Sequence, residues 1–325
     1  MSVAVVGGAG YIGAHVVRLL QDLGERVLVI DDLSTGRSDR IGSAHLEVLD
    51  VSQDGAADTL TGLLTDAGAT AVIHFAAKKQ VGESVQRPAW YYRQNVGGLA
   101  NTLEAMERAA VDRLVFSSSA AVYGMPDLTT VSEDERPQPI NPYGETKLAG
   151  EWLVRAASTA WGLRATSLRY FNVAGAGSPD LGDPAILNLV TMVFDRLARG
   201  EPPRVFGDDY PTPDGTGVRD YVHVQDLAEA HVAAMRYLEG RAEPTAEVFN
   251  VGTGTGASVL EVIEEIRRAS GLQFDVTVTP RRPGDPPALV AATGKIQSAL
   301  GWTARFGLPE IISSAWEAWQ AQPRG

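Results

Sequence analysis

Short apolar runs alternate with stretches of helical periodicity through the first half of this 325-residue chain. Residues 3–6 are an unbroken apolar run, the pattern of a strand buried on both faces. Residues 11–23 follow with Ile12, Val16, Leu19, Leu20 and Leu23 on one side of a helix, and Gly24 ends it. The alternation continues with strands at 26–30, 46–49, 71–75, 113–116 and 163–168, and helices at 56–67 and 90–109. A further helix opens at Asn141-Pro142, since asparagine is a favoured N-cap and proline at the first helical position forfeits only an unpartnered amide. Repeated strand–helix–strand order predicts an α/β fold, a doubly wound parallel sheet of the Rossmann type with helices on both faces.

After Phe171 the rhythm breaks, and prolines and glycines crowd residues 175–184 and 201–217. Asp226 is expected to cap a helix over 227–238, followed by a strand at 248–251. A helix at 259–270, a strand at 275–279, a loop at 280–287 and a helix at 308–320 complete the prediction. This texture implies a smaller, partly discontinuous α/β domain that binds substrate. The expected division gives residues 1–172 plus about 218–251 to the dinucleotide-binding domain, and about 173–217 plus 252–325 to the second.

Composition removes several kinds of chemistry. The chain has no cysteine, so disulfides, thiolate nucleophiles and Cys-ligated metals are excluded. The five histidines fall at no metal-ligand spacing, and no metal is expected. A net charge of −12 argues against general binding to nucleic acid or anionic membranes. No run reaches the roughly 18–20 apolar residues of a membrane helix. The amino terminus lacks the pattern of a signal peptide, so a soluble, cytoplasmic protein is expected.

The first strand opens into Gly7-Gly8-Ala9-Gly10-Tyr11-Ile12-Gly13. Glycines at positions 7, 10 and 13 let the backbone turn tightly and approach a pyrophosphate at a helix N-terminus. Glycine-rich turns also simply pack strands on helices, but Asp31 ends the second strand about 20 residues on, where a carboxylate can accept bonds from an adenosine ribose. A carboxylate there repels a 2′-phosphate, which favours NAD over NADP. Asp32 is expected to be a solvated loop acid. Asp50 and Val51, at the end of the third strand, are placed at the adenine edge.

Tyr143 and Lys147 lie four residues apart and so share a helix face. A phenol titrates near 10, too high for a base at neutral pH. An ammonium one turn away and an oxidised nicotinamide would both favour phenolate. Ser119, in the serine run that follows the strand at 113–116, can relay a proton beside that phenol. The pair could equally be a packed ring and a solvated ammonium, were it not preceded by a serine-ended strand in a nucleotide-binding sheet.

These residues resemble the extended short-chain dehydrogenase/reductase family, and within it the 4-epimerases of UDP-hexoses. The matching stretches are GGAGYIGAH (7–15), HFAAKKQVGESVQRP (74–88), SSSAAVYG (117–124), NPYGETK (141–147), LRYFNVAGA (168–176) and GDDYPTPDGTGVRDYVHVQDLA (207–228). The resemblance implies reversible interconversion of UDP-galactose and UDP-glucose with tightly held NAD, through transient oxidation at C4 and a 4-keto sugar. Tyr143 would take the 4-hydroxyl proton, Lys147 would hold the nicotinamide ribose and Ser119 would bond the substrate. Phe75, Ala76, Lys79, Asn95 and Tyr170 would line the cofactor, with Lys79 near its phosphates. Asn172, Asn188, Leu189, Val205 and Phe206 would hold the uridine nucleotide, Arg219 and Arg282 the pyrophosphate, and Asp285 the ribose. It also implies a homodimer pairing through helices near 90–109 and 143–157.

The chain departs from the family pattern at Ala121, usually threonine, and at Ala77-Lys78, usually a small and apolar pair. Leu289 stands where some relatives carry a tyrosine beside the sugar's C2 substituent, which opens extra activity on UDP-GlcNAc and UDP-GalNAc. Ala120 and Ala121 lack the acidic pair of related dehydratases. A UDP-glucuronate 4-epimerase and a non-catalytic NAD-binding protein are the alternatives.

Overall fold

The computed structural model describes residues 1–282 and 284–321. Its strands are β1 (Ser2–Val6), β2 (Arg26–Asp31), β3 (His45–Val48), β4 (Ala71–His74), β5 (Arg113–Ser117), β6 (Thr130–Val131), β7 (Arg164–Tyr170), β8 (Asn172–Ala174), β9 (Arg204–Phe206), β10 (Val218–His223), β11 (Thr245–Val251), β12 (Gly256–Ser258), β13 (Thr277–Thr279) and β14 (Ala288–Ala291). Seven of them form one parallel sheet in the order β11-β7-β5-β4-β1-β2-β3. The order reverses beside β1, so the loops at the carboxyl ends of β1 and β4 diverge and leave a crevice, the place where doubly wound sheets bind ligands.

Val3, Ala4, Val5 and Val6 of β1 have no solvent exposure. Helices cover both faces, which is why the run is continuously apolar rather than alternating. Tyr11–Asp22 and Val224–Glu239 pack on one face through Val16, Leu20, Leu227 and Met235. Ala56–Asp66, Gly98–Arg108 and Pro142–Trp161 pack on the other through Leu60, Leu103 and Val154. Burial of each such side chain is worth about 1.5–3 kcal/mol.

The second region holds a five-stranded sheet, β12-β10-β14-β6 with β8 on β10, and the pair β13-β9. Behind them Leu189–Ala198, Val259–Ser270 and Leu308–Ala321 share a core of Phe194, Ile263, Ile266 and Ile312. Short strands of two to six residues give too little periodicity to read, and β10, helix Leu189–Ala198 and helix Gly294–Leu300 carry no prediction above. No described helix is long and apolar enough to cross a membrane.

Two helices differ from expectation. The helix at 224–239 starts earlier than predicted, and its cap is His223, whose Nδ1 accepts from Gln225 N at 3.0 Å. Asp226 is buried and instead accepts backbone bonds from Arg305 and Phe306, both at 3.0 Å. The single helix expected at 90–109 is three pieces, Pro88–Tyr92, a π-helical turn Arg93–Gly97 and Gly98–Arg108. The wide turn carries Asn95 inward.

Candidate active site

A cavity of about 590 Å³ opens along the carboxyl ends of β1, β2, β4 and β5. Its floor is the glycine turn. Gly7 has φ +81°, and a Cβ there would lie 2.6 Å from Ala76 N. A Cβ on Gly13 would lie 2.2 Å from the Gly7 carbonyl oxygen. Both glycines are therefore required by the backbone itself. Gly10, which caps the helix Tyr11–Asp22, is different. A Cβ there would meet only Gly7 O, at 3.5 Å, so the bare backbone is presented to the cavity. That cradle and the helix N-terminus behind it fit a dinucleotide pyrophosphate.

At one end, Asp31 is turned to the loop by bonds from Ala9 N and Leu33 N, both 2.9 Å. Burial raises its pKa against those bonds. Asp50, Val51 and Leu49 line the same end. At the other end lie Ser119, Tyr143, Lys147 and Tyr170. Ser119 is positioned as the cap of a short 3₁₀ turn, its Oγ accepting from Ala121 N at 3.2 Å. Tyr143 and Lys147 ride the helix Pro142–Trp161, whose cap Asn141 accepts from Gly144 N at 2.9 Å.

Burial raises the Tyr143 phenol above its ordinary value, and the hydrogen bond with Ser119 opposes the rise. Burial is thus the largest influence on the phenol, and the charges of Lys147 and an oxidised nicotinamide, both expected to favour phenolate, act against it. Lys147 is buried and donates from Nζ to Ser117 O at 2.8 Å. Burial lowers its pKa to about 7, with Glu151 one turn on pulling the other way. Glu151 is itself gripped by Arg169, from Nε at 2.9 Å and Nη2 at 2.6 Å, and by Ser118 Oγ at 2.6 Å.

Gly7, Gly10, Tyr11, Ile12, Gly13, Asp31, Asp50, Val51, Phe75, Ala76, Lys79, Tyr143, Lys147 and Tyr170 all line the cavity. Asn95 does not. It is buried and acts on Lys78 instead, accepting from its N–H at 2.7 Å and donating to its C=O at 3.0 Å.

Of the expected substrate residues, Ser119, Tyr143 and Asn188 line the cavity. Asn188 also caps the helix Leu189–Ala198, accepting from Thr191 N at 3.0 Å. The others sit on the second region. Arg219 pairs with Asp285, and the Arg282 guanidinium lies 3.8 Å from the centroid of Phe206. Asn172 pairs in register with Tyr221 where β8 meets β10. Leu289 packs near Ala120 and Phe171, close to Ser119 in the fold. Leu189 joins the helical core, and the Val205 side chain is buried, so it can offer a ligand only backbone. Lys78, Ser34 and residues 183–187 line the cavity without having been predicted to. The last of these lie at and just after the end of the proline- and glycine-rich stretch 175–184, where no periodicity marks an orientation.

Residues 3–252 match the NAD dependent epimerase/dehydratase family. The chain belongs to that family. A protein of Azospirillum brasilense named UDP-glucose 4-epimerase is 46% identical over 323 residues, covering 97% of this chain and 91% of that protein. A Stenotrophomonas maltophila UDP-glucose-4-epimerase, solved with NAD and formylated UDP-arabinopyranose, superposes with a TM-score of 0.94 at 38% identity, covering 99% of this chain and 98% of its own. A Bifidobacterium longum UDP-glucose 4-epimerase with NAD+ and UDP gives a TM-score of 0.90 at 35% identity, covering 98% of each. Similarity at this level spans both regions of the chain, so the second sheet is as much part of the family likeness as the first.

Proposed function

We propose that this protein is an NAD-dependent UDP-hexose 4-epimerase that interconverts UDP-galactose and UDP-glucose. The observation that carries the reading is the convergence of Ser119, Tyr143 and Lys147 at one end of the cavity whose floor is the glycine cradle. NAD, when bound, supplies reversible acceptance of a hydride from C4 of the sugar. The chain's residues do the rest. Tyr143, beside Ser119, takes the proton of the 4-hydroxyl and returns it. Below its lowered pKa, Lys147 carries positive charge beside the phenol and has donors to spare for the nicotinamide ribose.

Arg219 and Arg282 are assigned to the substrate diphosphate, since guanidinium forks match phosphate oxygens. Arg219 is already paired with Asp285. Binding of the diphosphate therefore exchanges one anion for another, which frees the Asp285 carboxylate for the uridine ribose. Asn172, Asn188, Leu189, Phe206 and the Val205 backbone are assigned to the rest of the uridine nucleotide, and Leu289 to the sugar's C2 substituent. Incubation with UDP-galactose without added NAD, coupled to UDP-glucose dehydrogenase, tests the assignment. Conversion is expected; none even with added NAD would overturn it.

The same reading makes the protein a homodimer. Trp152, Val85 and Tyr92 are large apolar residues more than a third exposed on the helices at 142–161, 81–86 and 88–92. The helices at 88–92 and 142–161 are joined by the Tyr92 hydroxyl, which donates to Glu145 at 3.0 Å. Light scattering is expected to give twice the mass of the chain, and Trp152→Glu to give the monomer. A wild-type monomer would contradict the proposal.

A further inference from the structure

A lysine bridges two loops across the glycine turn. In the sheet β1 lies between β2 and β4, so the turn that leaves β1 lies between the loops that leave its neighbours. From the loop after β4, Lys78 reaches the loop after β2. Its Nζ donates to Ser34 Oγ at 2.8 Å and stands 3.5 Å from Asp32 Oδ2. Lys78, Asp32 and Ser34 line the cavity together with Gly7 and Gly10. Asp32 is thus tied into this bridge, where the sequence suggested a free loop acid.

The near end of the bridge is anchored. Asn95 holds both backbone polar groups of Lys78 and also donates to Thr146 Oγ1 at 2.9 Å. Thr146 in turn donates to the Tyr143 carbonyl at 2.8 Å. A lysine side chain gives up rotamer freedom when it is fixed, and a rigid starting point leaves only the stem to be ordered. The far end has reason to hold an ammonium as well. Asp31, Asp32 and Asp50 place three carboxylates at this end of the cavity, and the charge of Lys78 acts on each of them.

We propose that Lys78 is a clasp whose bridge to Ser34 and Asp32 closes the groove over a bound dinucleotide and sets how slowly that dinucleotide leaves. A ligand laid along the glycine turn passes beneath the bridge, so the bridge must open before the ligand can escape. The side chain is 22% exposed, which leaves it free to open without unfolding either loop. The inference rests on the NAD-dependent reading above.

The test is the rate at which bound NAD exchanges with isotopically labelled NAD from the full-length protein. Wild type, Lys78→Met, Ser34→Ala and the double variant are compared, with folding checked by circular dichroism. Lys78→Met keeps the stem and removes the ammonium, and is expected to speed release tenfold or more. Ser34→Ala is expected to speed release by a smaller factor, with the double variant no faster than Lys78→Met because both changes remove one bridge. Equal release from Lys78→Met and wild type would overturn the clasp. Factors that multiply in the double variant would overturn it too, since Lys78 would then act on the cofactor independently of Ser34. A wild-type protein that takes up no NAD would instead overturn the cofactor reading, so the two failures are distinct.

Discussion

Lys147 donates from Nζ to the Ser117 carbonyl at 2.8 Å, which fastens the helix carrying Tyr143 to the end of the strand that delivers Ser119. The ammonium is thereby a structural tie as well as a charge beside the phenol. Tyr143, by contrast, is held by packing, and its hydroxyl answers to Ser119.

Replacing Tyr143 by phenylalanine keeps the ring and removes the proton carrier. Turnover of UDP-galactose is expected to fall by about 10²–10⁴, the usual worth of a positioned acid–base group. Bound NAD and the melting temperature are expected to stay at wild-type values. Unchanged turnover would remove Tyr143 from the chemistry.

The pH dependence follows from Lys147. Its pKa is lowered to about 7 by burial, with Glu151 raising it. Glu151→Gln removes that support, so the ammonium is lost at lower pH and the alkaline limb of the kcat/KM profile is expected to move down. The change also takes away the partner of buried Arg169, a loss on the order of 3–5 kcal/mol, so profiles are compared well below the variant's melting temperature. A limb that stays in place would show that Glu151 does not tune the lysine.

Stability carries the same signature. An unfolded lysine keeps its proton to its ordinary value of 10.5, while Lys147 in the fold loses it near 7. Between those values the unfolded chain binds more protons, so this group makes stability rise with pH. Lys147→Met is expected to flatten that rise in urea titrations, and an unaltered slope would contradict it.

The fold's outline was legible because buried parallel strands and amphipathic helices write long, regular patterns, as in residues 3–6 and 11–23. The cradle was legible because Gly7 and Gly13 are forced by backbone approach. What escaped was set by distant contacts. The family resemblance made Asn95 a cofactor contact, yet a π-helical turn brings it to the Lys78 backbone. His223 takes the capping role expected of Asp226, because Asp226 is claimed by Arg305 and Phe306, about 80 residues downstream along the chain.

The three glycines separate folding from binding. Gly13→Ala puts a methyl 2.2 Å from the Gly7 carbonyl oxygen and is expected to lower the melting temperature. Gly10→Ala meets Gly7 O only at 3.5 Å, so the fold is expected to survive while retained NAD falls. Equal thermal loss in both would show that Gly10 is structural as well.

The central claim is that one site removes and restores the same hydrogen at C4, with Tyr143 handling only the hydroxyl proton. UDP-galactose deuterated at C4, converted in light water and followed by NMR, tests it most directly. Deuterium retained at C4 of the UDP-glucose formed, without release of reduced cofactor, is the predicted result. Deuterium washed out to solvent would contradict the account.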